Sequence, residues 1–289
     1  MILALNAGFY NTKVRTCSTR EIHQTRIQLN ENGSRTLILG DCYYEIGAGS
    51  RDISDKQLST CHNVCTNYNI LKHATSNEVQ LITALPMALY LNNQYRDKYR
   101  ISMYGNHDGI VDGEYKKITV TDCTVFAEGA AAYLPHKAEL KNEVVGLLDF
   151  GGNTINCMIY EYGNLLKDTI STLDLGMIKL ERLIIDELNI TKNWNVQDYE
   201  IRGIIKSGEC KEIVDKCIQS HLKEIQQRLL EKKWNINKLH VFATGGGSNQ
   251  LEQYLMNSFN RITISSNAIW DNVDGLYLVG REIYGKKTY

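Results

Sequence analysis

The chain has 289 residues, 43% hydrophobic and 22% charged, a balance that supports a buried core and excludes a disordered polyelectrolyte. Its 32 basic and 33 acidic side chains nearly cancel, so no overall positive field exists to wrap nucleic acid or hold the chain on an anionic membrane. The eight cysteines lie at irregular positions and read as small reduced hydrophobes. Only Cys61, His62 and Cys65, with His73 downstream, bring thiolate and imidazole together, and no second pair at zinc-finger spacing completes a metal site.

The apolar run before Asn6 has no basic region ahead of it and reads as a buried strand, not a signal peptide. No later window approaches the ~20 apolar residues of a membrane-spanning helix, so the expected location is the cytoplasm. Residues 1–7 are predicted as a strand, 8–11 as a turn, and 13–19 with 22–29 as a hairpin. Two short strands are expected within 37–46, around Gly40-Asp41, and a helix within 59–73. The compact run 79–85, ending at Pro86, reads as a central strand, and 87–97 has helical spacing. Short strands punctuated by Gly105, Gly109 and Gly113 are predicted over 99–124, then a small-residue helix over 126–134 stopped by Pro135.

A second cycle opens with the buried run 144–150, the Gly151-Gly152 turn and a hairpin of 154–160 with 165–170. Helices are expected over 175–188 and 210–234, a strand over 239–243, a glycine turn over 244–247, a helix over 249–259, a strand over 262–264 and a closing helix over 272–284. "Strand, glycine turn, hairpin" thus occurs twice. Two α/β halves of similar plan follow, and a cleft between related halves is a preferred ligand site.

Three glycine turns stand at strand ends: Asn6-Ala7-Gly8 with Lys13, then Asp149 to Thr154, then Ala243 to Ser248. Polyphosphate binding needs such turns, because backbone N–H groups reach phosphate oxygens only where side chains are as small as glycine, and a carboxylate must face the accompanying Mg²⁺. Asp149 ends an apolar strand, where a lone carboxylate is costly unless it serves a cation or accepts several hydrogen bonds. The plainer alternative is an aspartate that closes the turn with Gly151.

Together these segments resemble the five motifs of the actin superfamily, in order. LNAGFYNTK resembles the first phosphate loop, VFAEGAAAYL the first connecting helix, LLDFGGNTINCMIY the second phosphate loop, VFATGGGSNQL the adenosine loop and DNVDGLYLVGREIYG the second connecting helix. Within the superfamily, VQLITALPMALYLNNQYRDKY and DLGMIKLERLIIDEL are similar to segments of ParM-like proteins. The resemblance implies an α/β, actin-like (ribonuclease H-like) duplicated fold with two lobes around a nucleotide cleft. Domain I would comprise 1–143 plus 267–289, with an IB insertion at roughly 20–75, and domain II 144–266, with a small IIB at roughly 189–217.

It further implies a nucleotide-dependent filament-forming ATPase acting in plasmid DNA segregation, its subunits joined head to tail. A ParR-like adaptor would bind the DNA in its place; neither direct nucleic-acid binding nor membrane attachment is expected. ATP or ADP with Mg²⁺ is the implied ligand, with GTP as competitor. Matched motif to motif, Gly8, Phe9, Tyr10 and Asn11 with Gly151, Gly152, Asn153 and Thr154 would cradle phosphates, and Lys13 would reach them. Asp149 would hold Mg²⁺ through water, and Glu128, in the first connecting helix, would orient the attacking water. Gly245, Gly246, Gly247 and Ser248 would pass under the adenosine, and Lys179 and Arg182 would face base or ribose. Asn6 departs from the family's aspartate and removes one negative charge from the metal's surroundings. A small-molecule kinase, with Asp108, Asp112 and Asp122 as the acids nearby, and a nucleotide-binding scaffold without turnover are the alternatives.

Overall fold

The computed structural model describes residues 1–285; the last part of the expected domain I, 286–289, lies outside the described residues. Two compact units divide the chain: Met1–Glu139 together with a C-terminal segment beginning at Ile269, and Leu140–Ala268.

The first unit starts with strands β1 (Ile2–Ala7), β2 (Asn11–Arg15), β3 (Arg20–Gln24), β4 (Ile27–Leu29), β5 (Thr36–Leu39) and β6 (Cys42–Ile46), followed by helix α1 (Thr60–His73). Then come β7 (Glu78–Leu85), α2 (Met87–Leu91), α3 (Asn93–Ser102), β8 (Gly105–Val111), β9 (Glu114–Ala127), α4 (Ala130–Tyr133), a 3₁₀ turn at Leu134–His136 and α5 (Lys137–Leu140). One sheet contains every strand, in the order β3-β2-β1-β7-β9-β8-β5-β6-β4. β1, β7 and β9 are parallel neighbours at its centre. The largely apolar runs of β1 and β7 suit strands covered on both faces, while β9 alternates between buried and more exposed residues. Ser59 caps α1 by accepting the His62 N–H at 3.1 Å.

Three expectations for this unit need correction. The helix over 126–134 is replaced by strand as far as Ala127, because β9 pairs residue for residue with β7 up to Leu85↔Ala127. Gly129 then turns the chain at a φ of 76°, and only four residues of helix follow; the alanine run suits a helix, but tertiary pairing overrides propensity. The short strands over 99–124 are instead the end of α3 and a long β8–β9 hairpin. The helix over 87–97 breaks at Asn92, whose side chain caps α3 by accepting the Tyr95 N–H at 3.1 Å.

The second unit contains β10 (Val144–Phe150), β11 (Ile155–Glu161), β12 (Asn164–Leu173), α6 (Met177–Lys192), α7 (Ile201–Ser207), α8 (Lys211–Glu231), β13 (His240–Thr244), α9 (Gly246–Gln250), α10 (Glu252–Ser258) and β14 (Ile262–Ile264). Its sheet runs β12-β11-β10-β13-β14, with β10, β13 and β14 parallel. The core joins Phe150, Ile184, Leu188, Ile225, Trp234 and Leu255. The helix expected over 249–259 is two helices meeting at Leu251.

Helix α11 (Asp271–Tyr284) returns to the first unit. It covers the sheet with Val273 and Leu276 over Ala4, Ile82 and Ala84, while a separate cluster with Val64, Tyr68 and Leu71 of α1 covers Leu3, Leu5 and Leu81. Gly275 comes against the backbone of Ala131, where an added Cβ would run into Ala131 O, and Gly280 rests on Ile2 and Ile82 of the sheet. Among the described residues, no helix is long and apolar enough to cross a membrane.

Candidate functional site

Each unit carries a glycine turn at the carboxyl ends of its central parallel strands, the end at which open α/β sheets bind ligands. In the second unit, β10 delivers Asp149, 3% exposed, and β13 beside it delivers Thr244 in register with Asp149. Gly245 follows at a φ of 84°, so close that a Cβ there would stand 2.5 Å from Phe150 O and 2.7 Å from Asp149 Oδ1. Only glycine satisfies both demands. The turn is fixed from below: Gly245 N–H donates to Ala268 O at 3.1 Å, and Ser248 Oγ donates to Gly245 O at 2.8 Å.

The neighbouring turn at 151–154 is clamped in a way that orients its amides. Met177 N–H donates to Gly151 O at 3.1 Å, Ile178 N–H to Gly152 O at 2.8 Å and Gly176 N–H to Asn153 O at 3.2 Å. The first turn of α6 therefore takes up the carbonyls of this turn. Among the described residues, the N–H groups of Gly152, Asn153 and Thr154 find no acceptor. Several unsatisfied donors beside a buried carboxylate form a concave seat for an anion that brings its own cation. Gly176 is required for the clamp, since any side chain there would enter the backbone of Gly152 to Thr154.

The first unit repeats the turn. Gly8 N–H donates to Asn11 O at 3.1 Å, just as Gly151 N–H donates to Thr154 O at 2.9 Å. Asn6 pairs with Lys13 across β1 and β2, and Asp149 pairs with Asn156 across β10 and β11, seven residues downstream in each unit. Thr25 Oγ1 holds the turn by donating to Gly8 O at 2.6 Å. Asn6 is 4% exposed, and its Oδ1 has no hydrogen-bond partner among the described residues. A buried orphan acceptor costs about 1–3 kcal/mol, and a water of a hydrated cation would satisfy it. No group of three or more acidic, His or Cys side chains able to hold a metal occurs among the described residues. Within its own unit, each of the buried Asp149 carboxylate and the orphan Asn6 Oδ1 suits a water of a hydrated Mg²⁺, which is how Mg²⁺ commonly binds.

Glu128 stands in the bend after β9, its N–H donating to Leu85 O at 2.8 Å. Its carboxylate meets Lys56 Nζ at 3.0 Å. Lys56, absent from the sequence reading, is fully buried, and its ammonium also lies 5.7 Å from the ring of Phe9. Tyr10 of the same turn carries the guanidinium of Arg51 4.2 Å above its ring. Behind this pair, His62 shares a 2.8 Å hydrogen bond with Tyr99 Oη. Burial, reinforced by the charge of Lys56, lowers the His62 pKa to about 3.

Asp149, Gly151, Gly152, Asn153, Thr154, Gly245 and Gly247 come together within the second unit, and Asn6, Gly8, Phe9, Tyr10, Asn11 and Lys13 within the first. Gly246 and Ser248 lie in the turn and first helical residues after β13. Lys179 does not join that group: its ammonium pairs with Glu224 at 3.2 Å, in a cleft lined by Thr172, Asp174, Arg228 and Lys232. Arg182 is exposed. Helical spacing alone could not reveal which side of α6 each occupies.

Residues 9–130 match the family model described as the N-terminal domain of actin-like proteins. No curated protein matches the chain. Among solved structures, the apo psk41 ParM protein aligns over 99% of this chain and 98% of its own, with a TM-score of 0.71 and 17% identity. A 15-stranded ParM filament from Clostridium botulinum aligns over 97% and 99%, with a TM-score of 0.81 and 15% identity. The archaeal actin homolog Ta0583 in complex with ADP aligns over 98% and 99%, with a TM-score of 0.81 and 13% identity. The chain therefore has an actin-like fold, and its residues 9–130 are similar to the N-terminal domain of actin-like proteins.

Proposed function

We propose that the chain is a nucleotide-dependent, filament-forming ATPase that acts in plasmid DNA segregation. The observation that carries this reading is the placing of Asp149 against the Gly245 turn, beside the open amides of Gly152, Asn153 and Thr154. The open amides of Gly152, Asn153 and Thr154 would bind phosphate oxygens, Lys13 would do so from the first glycine turn, and Asp149 would hold the waters around Mg²⁺. The metal, when bound, neutralises charge developing on the phosphates. Glu128 orients the attacking water and accepts its hydrogen bond. Gly245 to Gly247 pass beneath the adenosine with no side chain in the way.

Filament assembly is supported by the ParM filament that shares the fold, and nucleotide binding by the ADP complex of the archaeal homolog. Subunits joining head to tail leave a different surface at each end of a growing strand, the two being complementary to one another. The near-zero net charge suits a protein that leaves DNA to a ParR-like adaptor and works in the cytoplasm. In this reading the first unit with α11 is domain I and the second is domain II.

The three acids named for the kinase alternative have partners within the first unit. Asp112 pairs with Lys72 and caps Thr36 N–H, Asp122 accepts from Tyr104 Oη, and Asp108 from Tyr115 Oη. All three serve the β8–β9 hairpin. Light scattering and pelleting with Mg²⁺ and ATP, together with phosphate release, test the proposal; assembly followed by phosphate release is expected. Turnover of a metabolite without assembly would favour a kinase, and assembly without phosphate release a scaffold. GTP in place of ATP reports the purine preference.

A further inference from the structure

Residues 51–58 form a strap between β6 and α1 that lays two cations on the first glycine turn: Arg51 over Tyr10 at 4.2 Å and Lys56 beside Phe9 at 5.7 Å. The strap is held from outside by α3, where Tyr95 Oη donates to Asp55 Oδ1 at 2.9 Å and Gln57 Nε2 donates to Tyr95 O at 2.9 Å. Lys56 is fully buried, an unusual place for an ammonium unless it is paired. It has three donors. One meets Glu128 Oε1 at 3.0 Å, and another reaches Ala84 O at a long 3.4 Å.

We infer that Lys56 is a positioning residue: the strap carries its ammonium under the bend after β9, where it holds the Glu128 carboxylate in the orientation from which that group directs the attacking water. This rests on the ATPase reading above. Two observations argue against simple stabilisation. A buried ion pair is often no more stabilising than a well-packed apolar pair of the same volume, so a pair retained here calls for a use. Among the described residues, the bend around Glu128 is otherwise fixed through its backbone, by Leu85 O on the Glu128 N–H and by Asn272 Oδ1 on the Gly129 N–H at 2.9 Å. Neither contact orients the carboxylate. Lys56 supplies that orientation and ties it to a strap that also touches the phosphate turn through Phe9 and Tyr10.

Steady-state phosphate release decides the matter, measured for the wild type, Lys56→Met, Glu128→Gln and the double variant. Loss of the ammonium should lower kcat by at least about tenfold, a part of the 10²–10⁴ that a positioned acid–base group contributes, with KM for ATP changed less than twofold. The double variant should be no slower than Glu128→Gln alone, because Lys56 acts only through that carboxylate. A kcat for Lys56→Met within twofold of wild type overturns the inference, as does a double variant slowed by the product of both single effects. Lys56→Gln serves for the same comparison if the Met variant does not fold. Wild-type protein that binds ATP but releases no phosphate would overturn the ATPase reading, and this inference with it; an active wild type with an unaffected Lys56→Met overturns only the inference.

Discussion

Asn156 Nδ2 lies 3.3 Å from Asp149 Oδ2, directly across the β10–β11 register, and both side chains are buried. The amide donates to one carboxylate oxygen while the other faces the Gly245 turn. The Asn156 amide thereby helps to fix the carboxylate, as the proposed holding of a hydrated cation requires.

Replacing Asn156 with Ala should leave the sheet intact and weaken Mg²⁺-dependent nucleotide binding by about 10–100-fold, the usual cost of losing a group that orients a metal ligand. Isothermal titration with Mg²⁺ and ADP reads this directly. Equal affinity in the variant would show that Asp149 needs no such support.

Gly245→Ala should be the more severe change. It places a Cβ against Phe150 O and Asp149 Oδ1 and holds a non-glycine residue at positive φ, a strain of about 1–2 kcal/mol before any clash. We expect a lower melting temperature and loss of measurable ADP binding. Gly203, with nothing within 4 Å of an added Cβ, is the control: Gly203→Ala should melt at or above the wild-type temperature.

Much of this second-unit site was legible in the sequence, because strand ends and glycine turns are local signals. The run ending at Asp149 and the glycines at 245–247 each announce a strand terminus, and the parallel pairing of β10 with β13 brings them together. Lys56 was not legible. It sits in a segment without period, and its partner Glu128 is 72 residues away, joined to it only by tertiary packing. The alanines after Glu128 misled for the related reason that pairing with β7 decides where β9 ends. Asn156 could have been found, since it stands to Asp149 as Lys13 stands to Asn6.

Asn6→Asp adds a carboxylate where a buried Oδ1 now lacks a partner. On the proposed function, the added charge should lower the Mg²⁺ concentration needed for half-maximal phosphate release severalfold and change the turnover rate. An unaltered rate and Mg²⁺ dependence would place Asn6 away from the metal's waters.

Acid should destabilise the first unit early. Burial lowers the pKa of His62 to about 3 and of His73 to about 4, against an ordinary value of 6.5. These residues are neutral when folded, and the unfolded chain takes up their protons as pH falls below 6.5. Stability is therefore full above that value and declines as pH falls, by about 1.4 kcal/mol per pH unit for each histidine, until the folded-state values near 3 to 4 are reached. Urea unfolding at pH 7.5 and pH 5.5 should show this loss, with a smaller slope in His62→Gln. A flat profile between those two pH values would mean that both rings take up protons in the fold as readily as in the unfolded chain.

In the proposed function, Asp149 and the glycine turn beside it bind the metal-loaded phosphates whose hydrolysis governs assembly. The most direct measurement is sedimentation of wild type and Asp149→Ala with Mg²⁺ and ATP, with phosphate release followed in the same tubes. Wild type is expected to pellet as filaments visible by electron microscopy and then release phosphate, while Asp149→Ala stays in the supernatant and releases none. Equal pelleting and phosphate release by both proteins would contradict the account.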